Sequence, residues 1–439
     1  MPLEPWYDIK MQQRIAVVAV LLLCVKGFHR PQLSCSSRRW SPVALHSSGS
    51  TTTTTTTKSL SISFTSASHL DQTEETTALI HSQIKLPVWP AYSGIMAQVL
   101  DWIGLTSLSD VLLSTLGGRV VPMPLNDLDI SPFLLLVHHT HSFMPFDPIR
   151  PITNLIVPEG FPAHPHSGFG TLTFTLEGGL RHRDSEGIKM QYNNGDAQWM
   201  KAGRGVIHEE MWDVPNNTFE RIEIFQLWLN SPQSEKFTDP SVDVLRDDEI
   251  PRLRLDEKGS EVRVLYGSVT NLNENSNLVT GPGDRVADSP LGILHLTLAA
   301  HSTQFIQYAS DCSFAVYVQK GSMKVGKDGE HTRMGNIVTY ESTRKFQPSL
   351  TSESSTAVIE SGGEGLQCLI LVGKKLQERA IMAGPYVASS EANYNQVARA
   401  WQVVGNEAFW DYKIPDEEWR DHIKNLNLQG KLGQLTPDI

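Results

Sequence analysis

The chain has 439 residues, a hydrophobic fraction of 40% and a formal charge of −11 at pH 7. That length allows two or three domains, the composition is ordinary for a soluble protein, and the acidic balance excludes direct nucleic-acid binding through a broad basic face. Of four cysteines, Cys24 and Cys35 lie near the N-terminus, which leaves Cys312 and Cys368, too few for a disulfide framework.

In chain order, Ile15 to Val25 is an unbroken apolar run behind Arg14, the size of a signal-peptide core and too short to span a bilayer. Residues 1–28 are expected to be a signal peptide. Residues 29–90 read as a Ser/Thr-rich, disordered segment outside the fold. Within it, His29 to Leu70 holds no acidic residue but has Arg30, Arg38, Arg39, Lys58 and the run Thr51 to Thr57, a transit-peptide-like composition. A signal peptide followed by such a segment, with Phe28 at the junction, resembles the bipartite address of algae whose plastids lie inside the endomembrane system. The expected location is therefore the chloroplast. The alternative is secretion with a Ser/Thr-rich spacer. Residues 91–119, rich in Leu and Ile between Ile95 and Leu116, read as a short amphipathic helical lead-in.

From residue 120 to 231 the pattern changes to short strands. Thr171 to Leu176 alternates with period two, Glu177-Gly178-Gly179 supplies a turn, and Leu180 to Asp184 resumes as a strand. Asn193 to Asp196 turns into Ala197 to Met200, and Gly203-Arg204-Gly205 makes a corner before Val206-Ile207-His208. Two motifs punctuate this series, His164-Pro165-His166 and His208-Glu209-Glu210. Side chains alternate faces in a strand, so His164 and His166 project together, as do His208 and Glu210, while Glu209 faces away. Two strands can thus bring four ligands to one point. Three imidazoles and a carboxylate suit Fe, Mn, Cu, Ni or Zn, and a six-coordinate ion would keep two open positions.

The segments Gly160 to Phe169, His182 to Ser185 and Gly195 to Met211 resemble the pirins, two-domain members of the cupin superfamily. Weaker likeness at Ser131 to Leu136, Gln226 to Asn230 and Gly384 to Val387 extends the resemblance over roughly residues 120–410. It implies a bicupin with one iron, Fe(II) or Fe(III), in the N-terminal barrel, held by three His and one Glu that map onto His164, His166, His208 and Glu210. Two departures stand out. Gly170 occupies the place of the family's usual Glu, which puts the surroundings of the ligands in question. Val137-His138-His139-Thr140-His141-Ser142 replaces an acidic loop. A second metal there is conceivable, but no Cys or carboxylate accompanies the histidines at ligand spacing, so a solvated loop is expected.

Gln226 shares a strand face with Ile222, Ile224 and Trp228, and is read either as a pocket residue that orients substrate or as a Gln bonded within the barrel wall. Phe174, Trp199 and Met200 are read as core rather than pocket mouth. Arg181, Arg183, Lys201 and Arg204 could attract an anionic substrate, but surface pairing with Asp184 and Glu177 is the plainer expectation.

Residues 232–286 read as a polar connector with its own strand at Val262 to Leu265. Residues 287–410 read as a second cupin barrel without metal: strands recur at Leu294 to Leu298, Phe314 to Val318, Met323 to Val325 and Cys368 to Val372, but His295, His301 and His331 are scattered. A helix begins at Ser389-Ser390-Glu391, and residues 411–439 form a tail that wraps the domain or stays mobile. The fold expected is all-β, two tandem cupin (double-stranded β-helix, jelly-roll) barrels with a short C-terminal helix.

The resemblance implies two functions. One is a metal-dependent, iron-type dioxygenase of the quercetin 2,3-dioxygenase kind acting on flavonol-like enediols. The other is a non-enzymatic, iron-dependent redox-sensing regulator of protein partners. Partners are then a small-molecule substrate or a protein, with no nucleic acid, no membrane in the mature form, and a monomeric state.

Overall fold

A computed structural model describes residues 60–65, 74–82 and 86–87, parts of 96–112, and 117–435 apart from 149, 155–157, 273–277, 326–329, 343–353 and 433–434. The expected signal peptide and most of the transit-like segment lie outside these residues.

Three strands precede the first barrel: β1 (Ser61–Thr65), β2 (Glu74–Ser82) and β3 (Leu86–Pro87). All three correct the expectation that residues 29–90 stand outside the fold, β3 by pairing with residues 119–120 of the first barrel. β1 runs parallel to residues 268–271 and antiparallel to residues 303–309, and β2 pairs with residues 336–342 of the second barrel. The cause is written in Leu60-Ser61-Ile62-Ser63-Phe64, whose alternating apolar residues bury Leu60, Ile62 and Phe64 in the second barrel's core.

The first barrel is two sheets face to face. One, in the order β13-β10-β7-β12-β5-β4-β3, comprises β3 with β4 (Gly117–Pro124), β5 (Phe133–Phe143), β7 (Phe169–Glu177), β10 (Ala197–Lys201), β12 (Glu220–Asn230) and β13 (Ser241–Leu245). The other, β6-β11-β8-β9, comprises β6 (Gly160–His166), β8 (Leu180–Asp184), β9 (Lys189–Tyr192) and β11 (Val206–Trp212). The expected strands and turns fall within these spans. At the Gly203 corner φ is +51°, and an added Cβ would lie 2.2 Å from the Thr238 carbonyl oxygen, so only glycine fits.

The seven-stranded sheet is packed on both faces, one toward the interior of the first barrel and one, apolar, toward the second. Phe133, Leu136, Leu172, Phe174, Trp199, Phe225, Leu227 and Leu229 pack against Tyr266, Ile293, Tyr317, Leu369 and Leu371 of the second barrel. Phe174 and Trp199 are therefore core, as expected, and so is Met200. Gly170 lies on this same outward face, where an added Cβ would meet the Trp199 ring at 2.4 Å. A side chain at 170 would point between the barrels, away from the histidines, so its loss leaves the ligand surroundings untouched.

Residues 232–286 are more than a connector. Ser241–Leu245 extends the first barrel's sheet through β10, while β14 (Arg252–Arg254), β15 (Glu261–Tyr266), β16 (Ser268–Asn271) and β17 (Val279–Thr280) join the second barrel. That barrel continues through β18 (Leu291–Leu298), β19 (Thr303–Ala309), β20 (Cys312–Val325), β21 (Glu330–Arg333), β22 (Asn336–Ser342) and β23 (Ser354–Lys374), with an interior that is a continuous apolar core. After the hairpin β24 (Ile381–Ala383) and β25 (Tyr386–Ala388), helix α1 (Glu391–Val404) starts on Ser390, whose hydroxyl caps the Asn393 amide. The tail adds α2 (Asp416–Leu426) and α3 (Leu428–Leu432). Their Trp419, Leu426, Leu428 and Leu432 pack with Trp401 and Ile207 behind the four-stranded sheet, so it wraps the domain.

Candidate metal centre

β6 and β11 lie antiparallel, with His208 opposite His164 and Val206 opposite His166. That register gathers three imidazoles between the two sheets: one nitrogen from each of His164, His166 and His208 lies within 4.8 Å of the others. Ring centroids are 4.4 Å apart for His164 and His208, 4.8 Å for His164 and His166, and 5.0 Å for His166 and His208. Among the described residues this is the one group of three or more potential ligands so disposed.

The state of these rings suits a cation. Burial lowers the pKa of all three, of His166 and His208 well below the ordinary value, so they are neutral at neutral pH and have lone pairs to give. His164 Nδ1 lies 2.8 Å from the Pro162 carbonyl, which can only accept, so Nδ1 carries the proton and Nε2 the lone pair. Among the described residues, neither nitrogen of His208 nor Nδ1 of His166 has a hydrogen-bond partner. Buried polar atoms without a partner are costly, and a metal ion would satisfy these.

Glu210, the fourth residue expected from the sequence, lines the same chamber but is not one of the three converging groups. A register shift in β11 between His208 and Glu210 accompanies its turn toward the facing sheet. Its Oε1 accepts hydrogen bonds from Thr173 Oγ1 at 2.9 Å and the Tyr192 hydroxyl at 2.6 Å, and its Oε2 accepts from Gln226 Nε2 at 2.7 Å. A carboxylate offers about four lone-pair sites, so one remains, on Oε2, for a further partner. Burial, then the Glu210 charge, pushes the Tyr192 phenol well above its ordinary value, which keeps it a donor. Gln226 is thus hydrogen-bonded across the interior, from β12 to Glu210 on the facing sheet.

Several participants carried no role in the sequence reading. Thr173 and Tyr192 hold Glu210, and His182, whose ring is 5.4 Å from that of His208, is paired with buried Asp184 at 2.9 Å. Period two within Thr171 to Thr175 already places Thr173 on the inner face; the roles of Tyr192 and His182 depend on strand pairing. Glu209 faces away from the chamber as expected. It is nonetheless buried and bonded, to Arg183 Nε at 2.5 Å and Trp410 Nε1 at 2.7 Å. The other basic residues are paired too, but with other partners than expected: Arg181 with Asp213, Lys201 with Glu235 and Asp288, Arg204 with Asp239.

The run of histidines is a strand, not a solvated loop. His138 to Ser142 belong to β5, and all but Thr140 are buried. His138 faces the second barrel, bonded to the Tyr317 hydroxyl at 3.0 Å and to Glu223 at 3.2 Å, while His139 and His141 face the chamber.

Comparison with known proteins agrees with this architecture. The family model described as Pirin matches residues 121–229, and that described as Pirin C-terminal cupin domain matches residues 293–407. A Pseudomonas aeruginosa protein named "Putative quercetin 2,3-dioxygenase" is 30% identical, covering 61% of this chain and 83% of its own length. Pirin-1 of Arabidopsis thaliana is 28% identical over 66% of this chain and 89% of its own length. The crystal structure of a quercetin 2,3-dioxygenase from Acinetobacter baumannii superposes with a TM-score of 0.53 at 26% identity, covering 65% of this chain and 90% of that one.

Proposed function

We propose, because the chain belongs to the pirin family, that it is a metal-dependent dioxygenase of the quercetin 2,3-dioxygenase type, with iron as its metal and a flavonol-like enediol as its substrate. The observation that carries this reading is the convergence inside one barrel of one nitrogen from each of three neutral imidazoles, those of His166 and His208 buried and that of His164 partly so. His164, His166 and His208 would hold the ion, with Glu210 completing the set through its remaining lone pair. A bound iron would supply Lewis-acid stabilisation of an enolate oxygen and the means to react with O₂.

The chain's own residues do the rest. Three neutral ligands add no charge, so with Glu210 a divalent site stays formally cationic and favours an anionic oxygen. Gln226, Thr173 and Tyr192 fix the Glu210 carboxylate by three hydrogen bonds, which limits its motion as charge changes nearby. Phe161, Phe169, Trp212 and Trp228 wall the chamber and keep its dielectric low.

The test is metal analysis followed by anaerobic iron loading and O₂ uptake with quercetin, on a chain that begins upstream of Leu60. Stoichiometric iron with substrate-dependent O₂ consumption is expected. Iron without turnover would favour the second reading, a non-enzymatic regulator. That reading has its own support in the exposed apolar side chains of Met96, Val99, Trp102, Ile103, Leu105 and Leu108, which offer a surface to a protein partner.

A further inference from the structure

His139 and His141 stand on the inner face of β5, both buried, and among the described residues none bonds to any of their four ring nitrogens. Trp212 Nε1, beside them, is likewise without a partner. The three rings are contiguous. His141 lies 4.3 Å from Trp212 and 5.8 Å from His139, and His139 lies 5.2 Å from Phe161, which in turn adjoins His164 at 6.4 Å. His138, next in the same strand but on the other face, has both nitrogens bonded.

The chemistry of this wall is specific. Burial lowers the pKa of His139 to about 3 and takes His141 well below its ordinary value, so both rings are neutral, each with one N–H and one lone pair. The indole adds a third donor. None of these three groups carries a charge that would compensate a phosphate or carboxylate. Neutral donors and acceptors set among aromatic faces suit hydroxyl groups on a flat ring. Trp212 also borders a cavity of about 250 Å³ that it shares with Glu159, Arg181 and Lys413, on the outer side of this wall.

We propose that His139, His141 and Trp212 form the distal half of the substrate site, where they hydrogen-bond the phenolic hydroxyls of a flat polyphenol whose enediol end lies at His164, His166 and His208. This rests on the substrate class proposed above and adds the residues that select within it. A site that hydrogen-bonds a hydroxyl discriminates strongly against the analogue lacking it, because its own buried groups are then left unpaired.

The experiment is anaerobic titration of the metal-loaded full chain with quercetin and with galangin, which lacks the distal hydroxyls, followed by fluorescence quenching, and O₂ uptake with each. The wild type is expected to bind quercetin at least tenfold more tightly. In His139→Phe/His141→Phe that preference should vanish with metal content unchanged, and His139→Gln/His141→Gln should restore part of it. Equal binding of the two flavonols by the wild type, an unchanged preference in the Phe variant, or no binding of either overturns the inference. Discriminating binding without O₂ uptake would instead sink the dioxygenase reading and leave the subsite standing. Turnover of both flavonols at equal efficiency by wild type and Phe variant would do the reverse.

Discussion

A single residue, Glu210, shows how closely ligand chemistry and stability are bound together in the chamber. Its carboxylate satisfies three buried donors at once, and Glu210→Gln replaces two acceptor oxygens by one oxygen and an NH₂ that must itself find a partner. Each buried polar group left unmatched costs about 1–3 kcal/mol. We expect Glu210→Gln, prepared without metal, to lose unfolding free energy of that order, seen as a lower urea midpoint, and to retain less iron than the wild type after loading. Unchanged midpoint and iron content would mean that neither role is real. The three imidazoles were legible beforehand because His-x-His and its partner motif follow the period of a strand. Their surroundings were not, since Tyr192 and Thr173 meet Glu210 only through pairing between distant strands, and no spacing along the chain encodes that. His139 and His141 were misjudged for a related reason: a polar triplet reads as a loop until Phe133 to Val137 is seen to continue through it as one strand of 11 residues.

Among the elements, β1 reverses an expectation most completely. The Ser/Thr-rich, acid-poor composition around it reads as a leader, and that broad signal outweighed the short alternation of Leu60, Ile62 and Phe64. Phe64 is fully buried, and truncating a core Phe to Ala costs about 3–5 kcal/mol. We therefore expect Phe64→Ala to lower the urea midpoint of the second barrel markedly, and a chain starting at residue 90 to be less stable than one starting at residue 58. Equal denaturation curves for the two truncations would show that β1 and β2 contribute nothing. The C-terminal elements act on the other barrel. Arg183, already tied to Glu209, also donates to the Tyr412 and Ile414 carbonyls, so the segment before α2 is fastened to the back of the strands that carry His182, His208 and Glu210.

Across the whole molecule the two barrels share one apolar interface, with a buried polar cluster set into it. Burial opposes ionisation of Glu223, but hydrogen bonds from His138 and Gln319 and the charges of His138 and Lys320 outweigh it and hold its carboxyl below the ordinary range. A depressed folded-state value means that the contribution is full above the ordinary value of 4.5 and is lost as the pH falls below it. Melting temperature should therefore decline on acidification from about pH 5 to pH 3, and decline less steeply in Glu223→Gln. Parallel profiles would assign the acid sensitivity elsewhere. The strands of both barrels were readable from periodicity and the bicupin plan from the resemblance to the pirins; that the barrels also exchange the chain's outer segments was not. This exchange sets an order of assembly on the ribosome. Domains ordinarily fold from the N-terminus as they emerge, yet β1 and β2 meet partners that are synthesised only between residues 268 and 374. The earliest strands made must wait, unpaired, through synthesis of the entire first barrel, and the hydrophilic Ser/Thr-rich sequence around them keeps such a waiting segment in solution. The strands that carry His182, His208 and Glu210, for their part, are not braced until Trp410 to Ile414 leave the exit tunnel, so the back of the candidate site is fastened only as translation ends.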